Sequence, residues 1–375
     1  MPNLILNSLE IREFRAFKHV KINGLGQVNL IVGKNNVGKS SILEALRIYA
    51  HRGSLALIQN ILRERDEVRL NARSINNISA QINAMRYLFH GMSEMNDDFP
   101  VIKIGPLNVE DQTLSLRLNS IKQLSFLSDI ENEVNESIRD DVDIYSKENS
   151  KSISFELMIQ YGLNNNVVYP VYRGSSGSIS SYAPLNIPLI NYSFIPSGGL
   201  TKRKLARLWD NVILTDLEAL VISSLQIIAP ELERLNFLLE GERDPIPVVR
   251  LKNSPTRVPL GSLGEGMNRM FGIALSLVDA RDGILLIDEI ESGLHYSVQT
   301  DMWRLIFETA RRLNIQVVAT THSWDCIQGF QQAAQEDKLA EGVLIRLGRR
   351  KGDIISTVYS EDELEIVTRE QIEVR

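Results

Sequence analysis

The sequence predicts an α/β fold whose chemistry lies along one edge of a parallel sheet, and three observations predict it. An apolar run, NLIV, leads through a glycine-rich turn into the helix-forming stretch SILEALRIY; a second, ILLI at 284–287, ends in Asp288 and Glu289; a third, VVATT, ends in His322. Short apolar runs bounded by turn residues are consistent with strands buried on both faces, as parallel sheets require. The 375 residues allow two or three cores on a prior of about 100 to 200 residues per domain. At 43% hydrophobic and 23% charged residues the chain is not largely disordered. Its formal net charge is −6, so a nucleic acid would have to meet a local basic patch. A single cysteine, Cys326, excludes an internal disulfide and a cysteine-rich zinc site. The N-terminus lacks a signal-peptide pattern and no run of 18 apolar residues occurs, which predicts a cytoplasmic, non-spanning protein.

Taken in order, residues 4–32 alternate as three strands and are followed by a helix from Ser40 to about Ala50. Residues 1–54 are therefore read as the N-terminal part of the core. Residues 55–190 form a helical and β insertion region. Its spacing is helical from Leu55 to Phe89, with Asn71 and Ser74 to Ser79 as interruptions, and then gives short strands in VIKIGPL, TLSLRLN, SISFELMIQYG and VVYPVYRG. Residues 128–149 hold eight acids and two basic residues, which suits a solvated helix or excursion, and GSSGSISS at 174–181 has loop composition. Residues 191–375 read as the C-terminal part of the core. There, LINYSFIPSGG is followed by helical sequence from Lys202 to about Leu239, a turn at Pro255 to Gly261, a helix from about Gly264, the two strands already named, and a terminal strand pair, VLIRLGRRKGDIISTVY.

Gly33-Lys34-Asn35-Asn36-Val37-Gly38-Lys39-Ser40 fits the phosphate-loop pattern G-x-x-x-x-G-K-[ST], and its flanking strand and helix set it apart from a chance glycine turn. Glycines let backbone N–H groups close on phosphate oxygens, and the helix N-terminus adds a positive dipole. Lys39 can reach the β and γ phosphates, and Ser40 can ligate magnesium. Gly33, Asn35, Asn36, Gly38 and Ser41 complete the expected cradle. Asp288 and Glu289 alone could be a solvated strand end. Beside a phosphate loop they read as a magnesium-supporting aspartate and a glutamate that orients or deprotonates water. A lone histidine at a strand end is usually structural, but here the neighbouring strand would bring His322 to the edge where ligands bind in open α/β sheets.

The phosphate loop, ILLIDE and ATTHS, in that order, resemble the ABC-type ATPases. The wording DEIESGLH with ATTHSWD is similar to a branch of stand-alone ATPases that includes the OLD nucleases and phage-defence ATPases, with RecF and the SMC group as more distant relatives. The resemblance covers residues 4–50 and 255–350. It implies a P-loop NTPase of ABC-ATPase type, with a mixed β and helical insertion between its two nucleotide motifs. It further implies ATP and Mg2+ as cofactors, Ser40 and Asp288 at the metal, Glu289 and His322 as catalytic residues, and a phosphate contact from Arg15, which follows Phe14. Ser262-Leu263-Gly264-Glu265-Gly266, 26 residues before Asp288, resembles a variant signature motif that closes over the partner subunit's ATP. Ser262 and Glu265 also match an S-x-x-E capping box, and both readings stay open.

Two features depart from the family pattern. Ser292-Gly293-Leu294-His295 ends in histidine where aspartate is usual, leaving the role of His295 open, and no glutamine marks the usual metal-and-water contact. Phe194-Ile195-Pro196-Ser197 looks like the replacement for that glutamine. Trp324 and Cys326 follow His322 on a predicted helix and suit core packing. Lys202, Arg203, Lys204 and Arg207, and Arg346, Arg349, Arg350 and Lys351, form basic clusters that a solvated helix face and a hairpin tip explain. Non-specific contact with a DNA backbone is the alternative. The resemblance implies self-association as an ATP-dependent dimer unit and a separate effector protein, a nuclease or toxin, because about 25 residues after LGRRKG leave no room for a Toprim nuclease domain. An ATP-loaded scaffold or sensor with slow turnover is the second reading. A transporter ATPase subunit is a third, disfavoured by the 249 residues between Lys39 and Asp288.

Overall fold

A computed structural model describes residues 4–67, 84–91, 99–122, 153–163, 165–171, 187–239, 244–252, 254, 256–336 and 341–370. The acidic run 128–149, the segment GSSGSISS, Asn71, Ser74 to Ser79 and Pro255 lie outside the described residues. Alternating side chains make β1 (Ser8–Phe14) and β2 (Phe17–Asn23) a hairpin, and the continuous apolar run makes β3 (Val28–Val32) a strand buried on both faces. Helix α1 (Lys39–Ala50) follows, with every residue from Ser41 to Ala50 buried, and then α2 (Leu55–Glu64). Strands β4 (Ile102–Gly105), β5 (Leu114–Lys122), β6 (Ile153–Tyr161) and β7 (Asn165–Val171) extend the first hairpin into a six-stranded antiparallel sheet ordered β2-β1-β4-β5-β6-β7. Pro170, which cannot donate to a ladder, falls on the edge strand β7 where that loss is tolerated.

After β8 (Tyr192–Ile195) come α3 (Lys202–Asp210), α4 (Glu218–Gln226), and a small antiparallel sheet of β9 (Leu232–Leu238), β10 (Ile246–Leu251) and β11 (Arg257–Pro259). The helical expectation to Leu239 is corrected here. Pro230 disfavours helical backbone at Ala229, and residues 232–238 pair with β10 instead. The chain continues through α5 (Glu265–Asp279), β12 (Ile284–Ile287), α6 (Tyr296–Arg312), β13 (Gln316–Thr320), α7 (Trp324–Glu336), β14 (Gly342–Arg350), β15 (Asp353–Tyr359) and α8 (Glu361–Arg369).

The second six-stranded sheet, ordered β15-β14-β3-β13-β12-β8, is parallel apart from the edge strand β15. Its strands feed two cores. Leu285 and Ile287 of β12 face a cluster with Trp303, Phe307 and Phe330, while Ile284 and Leu286 join Ile42, Leu46, Ile11 and Leu116 under α1 and the antiparallel sheet. The period of two thus divides one apolar tetrad between two layers. Truncating the fully buried Trp303 to alanine should cost about 3–5 kcal/mol. Because β3, β12, β13 and β8 run in the same direction, the residues after each one meet at a common edge.

Candidate functional site

The loop after β3 is shaped by backbone that only small residues tolerate. Gly38 has φ 90°, and a Cβ there would stand 2.6 Å from the Phe17 ring, so the β1–β2 turn packs directly on the loop. Gly33 has φ 147°, and its Cβ would meet the Leu347 carbonyl oxygen at 2.5 Å, bringing β14 against the other side. Asn36 is also left-handed, at φ 62°. Lys34, Asn35 and Asn36 are exposed, whereas Ser41 is buried. Lys39 Nζ donates to the carbonyls of Gly33 at 2.7 Å and Lys34 at 3.1 Å, which holds the ammonium over the loop. Burial pushes its pKa down, and the carboxylates of Asp288, Glu289 and Glu291 act in the opposite direction.

Asp288 leaves β12 at the same edge. Ser40 Oγ donates to its carboxylate, 2.9 Å from Oδ2, and Thr320 Oγ1 donates to Oδ1 at 2.6 Å. The Glu289 backbone N–H donates to Thr320 Oγ1 at 2.9 Å, and Glu289 itself takes φ 47°. A left-handed non-glycine residue costs on the order of 1–2 kcal/mol, and the neighbouring contacts hold it there. Ser40 Oγ and the Asp288 carboxylate are hard oxygen donors of the kind magnesium takes. Among the described residues no group of three or more His, Cys, Asp or Glu side chains could hold a metal ion by itself. A magnesium ion at Ser40 and Asp288 would therefore need phosphate and water oxygens to complete its shell.

His322 follows β13 and is exposed at the same edge, its Nδ1 3.9 Å from Glu289 Oε1 and 3.2 Å from Glu291 Oε1. Sequence reasoning missed Glu291 and two more members of this group, Thr320 and Arg269. The buried Arg269 on α5 donates from Nη2 to the carbonyls of Asp288 and Glu289, both at 2.7 Å, and from Nη1 to that of Pro196 at 2.8 Å. Burial lowers its pKa, opposed by Glu291, Asp288 and Glu289. An arginine among Met267, Met270, Phe271 and Ile273, all buried on α5, is the signal that could have revealed it.

The other predicted residues fall at different distances from this edge. Ser262 and Gly264 are exposed at the start of α5, and Glu265 opens that helix. The capping box is not formed: Gly264, at φ 108°, is the N-cap and no side chain caps the helix. Ser262 lies within the 3-10 turn Leu260–Leu263 that precedes this N-cap, so it does not occupy the capping position. A Cβ on Gly266 would stand 2.9 Å from the Gly293 carbonyl, so the Ser292–Leu294 loop lies against this helix start. His295 accepts from the Ser297 N–H and caps α6. Arg15, read from the sequence as a phosphate contact, is engaged by two carboxylates. Its guanidinium is buried, with Nε paired to Glu44 and Nη1 2.7 Å from Glu67, so a phosphate contact requires those pairs to open. Residues 194–197 do reach the site, through the Pro196 carbonyl held by Arg269. Lys202, Arg203 and Arg207 lie on the exposed face of α3, and Arg349, Arg350 and Lys351 at the tip of the β14–β15 hairpin. Cys326 is fully buried, and Trp324 packs against the same core.

Comparison with known proteins matches residues 5–168 and 117–327 to the family described as AAA ATPase domain. A Helicobacter pylori protein named ATP/GTP phosphatase is 25% identical over 361 residues, covering 90% of each chain. The DNA replication and repair protein RecF of Thioalkalivibrio sulfidiphilus is 42% identical over 45 residues, 12% of each chain. Among solved structures, an Smc head bound to the C-terminal winged-helix domain of ScpA aligns over 95% of this chain and 98% of that one, at 13% identity and a TM-score of 0.49. With a phosphate loop, an acidic strand end and a histidine on one parallel edge, and a family match spanning most of its length, the chain belongs to the AAA ATPase domain family and is an ATPase of the P-loop α/β fold.

Proposed function

We propose that this ATPase is magnesium-dependent, closes its nucleotide sites between two copies of the chain, and serves as the ATPase component of a phage-defence or DNA-metabolism complex with a separate effector protein. The observation that carries the nucleotide reading is the hydrogen bond from Ser40 Oγ to Asp288, which joins two residues 248 positions apart beside Lys39. In this reading the glycine turns and the N-terminus of α1 receive the phosphates, Lys39 neutralises them, and Ser40 and Asp288 hold the metal. When bound there, magnesium would supply neutralisation of phosphate charge. Glu289 orients the attacking water and accepts its proton, and His322 faces the terminal phosphate. Ser262, Gly264 and Glu265, at the start of α5, are exposed, which suits a phosphate arriving from a second copy. The defence role is supported by the wording DEIESGLH and ATTHSWD.

Hydrolysis of ATP by the purified chain tests the first part. Turnover should require magnesium and stop on chelation. Lys39→Ala should lose ATP binding or turnover and keep its circular dichroism and unfolding midpoint, because the substitution spares the apolar core. Undiminished magnesium-dependent turnover in a folded Lys39→Ala protein would contradict the phosphate-loop reading. The effector is tested by isolating the complex from its native host, where a nuclease or toxin should co-purify as a second polypeptide.

A further inference from the structure

Glu291 lies two positions after Glu289 yet leaves the solvent that Glu289 keeps: their side chains are 9% and 43% exposed. A buried carboxylate is costly unless hydrogen-bond donors meet it. Here one residue provides two contacts. The backbone N–H of His322 donates to Glu291 Oε1 at 3.1 Å, and His322 Nδ1 lies 3.2 Å from the same oxygen. An ionised carboxylate only accepts, so the ring nitrogen that faces it is the protonated one. Nε2 is then left as the ring atom for other partners, on a side chain that is 54% exposed. Among the described residues Glu291 Oε2 is buried with no hydrogen-bond partner, and Arg269 and Lys39 lie near enough for the carboxylate to act on their charges.

We propose that Glu291 is the positioning residue for His322: it fixes the imidazole and keeps a proton on Nδ1, so that Nε2 is the atom presented to the reacting phosphate. The proposal rests on the nucleotide occupying the loop at residues 33–40. A backbone anchor alone would need only the N–H contact. The added ring contact sets both the direction of the side chain and its tautomer. The wording DEIES gave no sign of this, because Glu291 lies in a loop outside any strand or helix periodicity.

The test combines spectroscopy with kinetics. In protein labelled with 15N-histidine, the resonance lost in His322→Ala should show the Nδ1–H tautomer at a pH where the ring is neutral. An Nε2–H tautomer overturns the proposal, and this reading needs no Glu291 variant to fold. Glu291→Gln keeps the size but lets the amide turn either face to the ring, so it should mix the tautomers and lower kcat about tenfold or more, with KM for ATP unchanged. Placed on His322→Ala, it should cause no further loss. Losses that multiply, or a Glu291→Gln enzyme with full kcat, overturn the proposal. Full turnover by His322→Ala also overturns it, by removing the histidine from the reaction. In that case loss of ATP binding by Lys39→Ala would still show that the loop holds the nucleotide.

Discussion

Cys326 shows how burial decides what a side chain can do at the scale of one residue. It is fully enclosed beside Trp303 and the core of α6 and α7, and burial pushes its thiol pKa up to about 12. Only the thiolate is an effective nucleophile, so native protein at pH 8 should resist alkylation by iodoacetamide and be modified once denatured. Intact-mass spectrometry reads this directly, and rapid labelling of the native chain would contradict the packing at this position. The same scale shows which parts of the site were legible. Lys39, Ser40, Asp288, Glu289 and His322 could be read because each follows a recognisable apolar strand or glycine turn. Arg269, Glu291 and Thr320 act through backbone carbonyls, a backbone N–H or another side chain, and such contacts between distant segments leave no local pattern. The ion-pair partners of Arg15, Glu44 on α1 and Glu67 beyond α2, likewise come from distant segments and left no local pattern.

At the scale of elements, the strand that delivers Asp288 depends on a close approach at its start. Gly283 stands immediately before β12, and a Cβ there would be 2.1 Å from the carbonyl oxygen of Asn191, at the entry to β8. A backbone oxygen cannot turn aside as a flexible side chain can, and Ile284 N–H donates to that same oxygen at 2.9 Å. Gly283→Ala should therefore destabilise the fold by about 1–3 kcal/mol, measured by denaturant unfolding, and loosen the β8–β12 pairing. Unchanged stability would show that the two strands separate more easily than their register implies. Parallel strands and the helices between them were readable because continuous apolar runs and helical spacing are local. Residues 232–238 misled because leucines at 232 and 235 have the spacing of a helical face, and both are buried here through a register irregularity in the pairing with β10. Their pairing with β10 is a contact that sequence spacing does not encode. Likewise, nothing in the short strands of the 55–190 region indicated that they continue the sheet begun by β1 and β2.

Across the whole molecule, the segment 288–294 is held on two sides. Thr320 and His322 donate to it or accept from it at the end of β13, while Arg269 and Gly266 meet it from α5, the helix whose exposed N-terminus carries Ser262 and Gly264. Closure of two copies on shared nucleotide would thus bear on the helix that grips the acids. The variant Glu289→Gln keeps the shape of the acid but cannot accept a proton, so ATP should bind and remain intact. If the sites join two copies, bound ATP favours association by roughly 3–4 kcal/mol at 100 to 1,000 times the dissociation constant. Ser262→Arg should block closure by filling the place of the partner's γ-phosphate, while leaving each copy's own phosphate loop able to bind. The decisive measurement is light scattering of Glu289→Gln with and without MgATP. A mass that doubles with nucleotide, and returns to the nucleotide-free value when Ser262→Arg is added, is the predicted result. A mass that ignores MgATP while ATP is bound, or a double variant as large as the single one, would contradict the shared site.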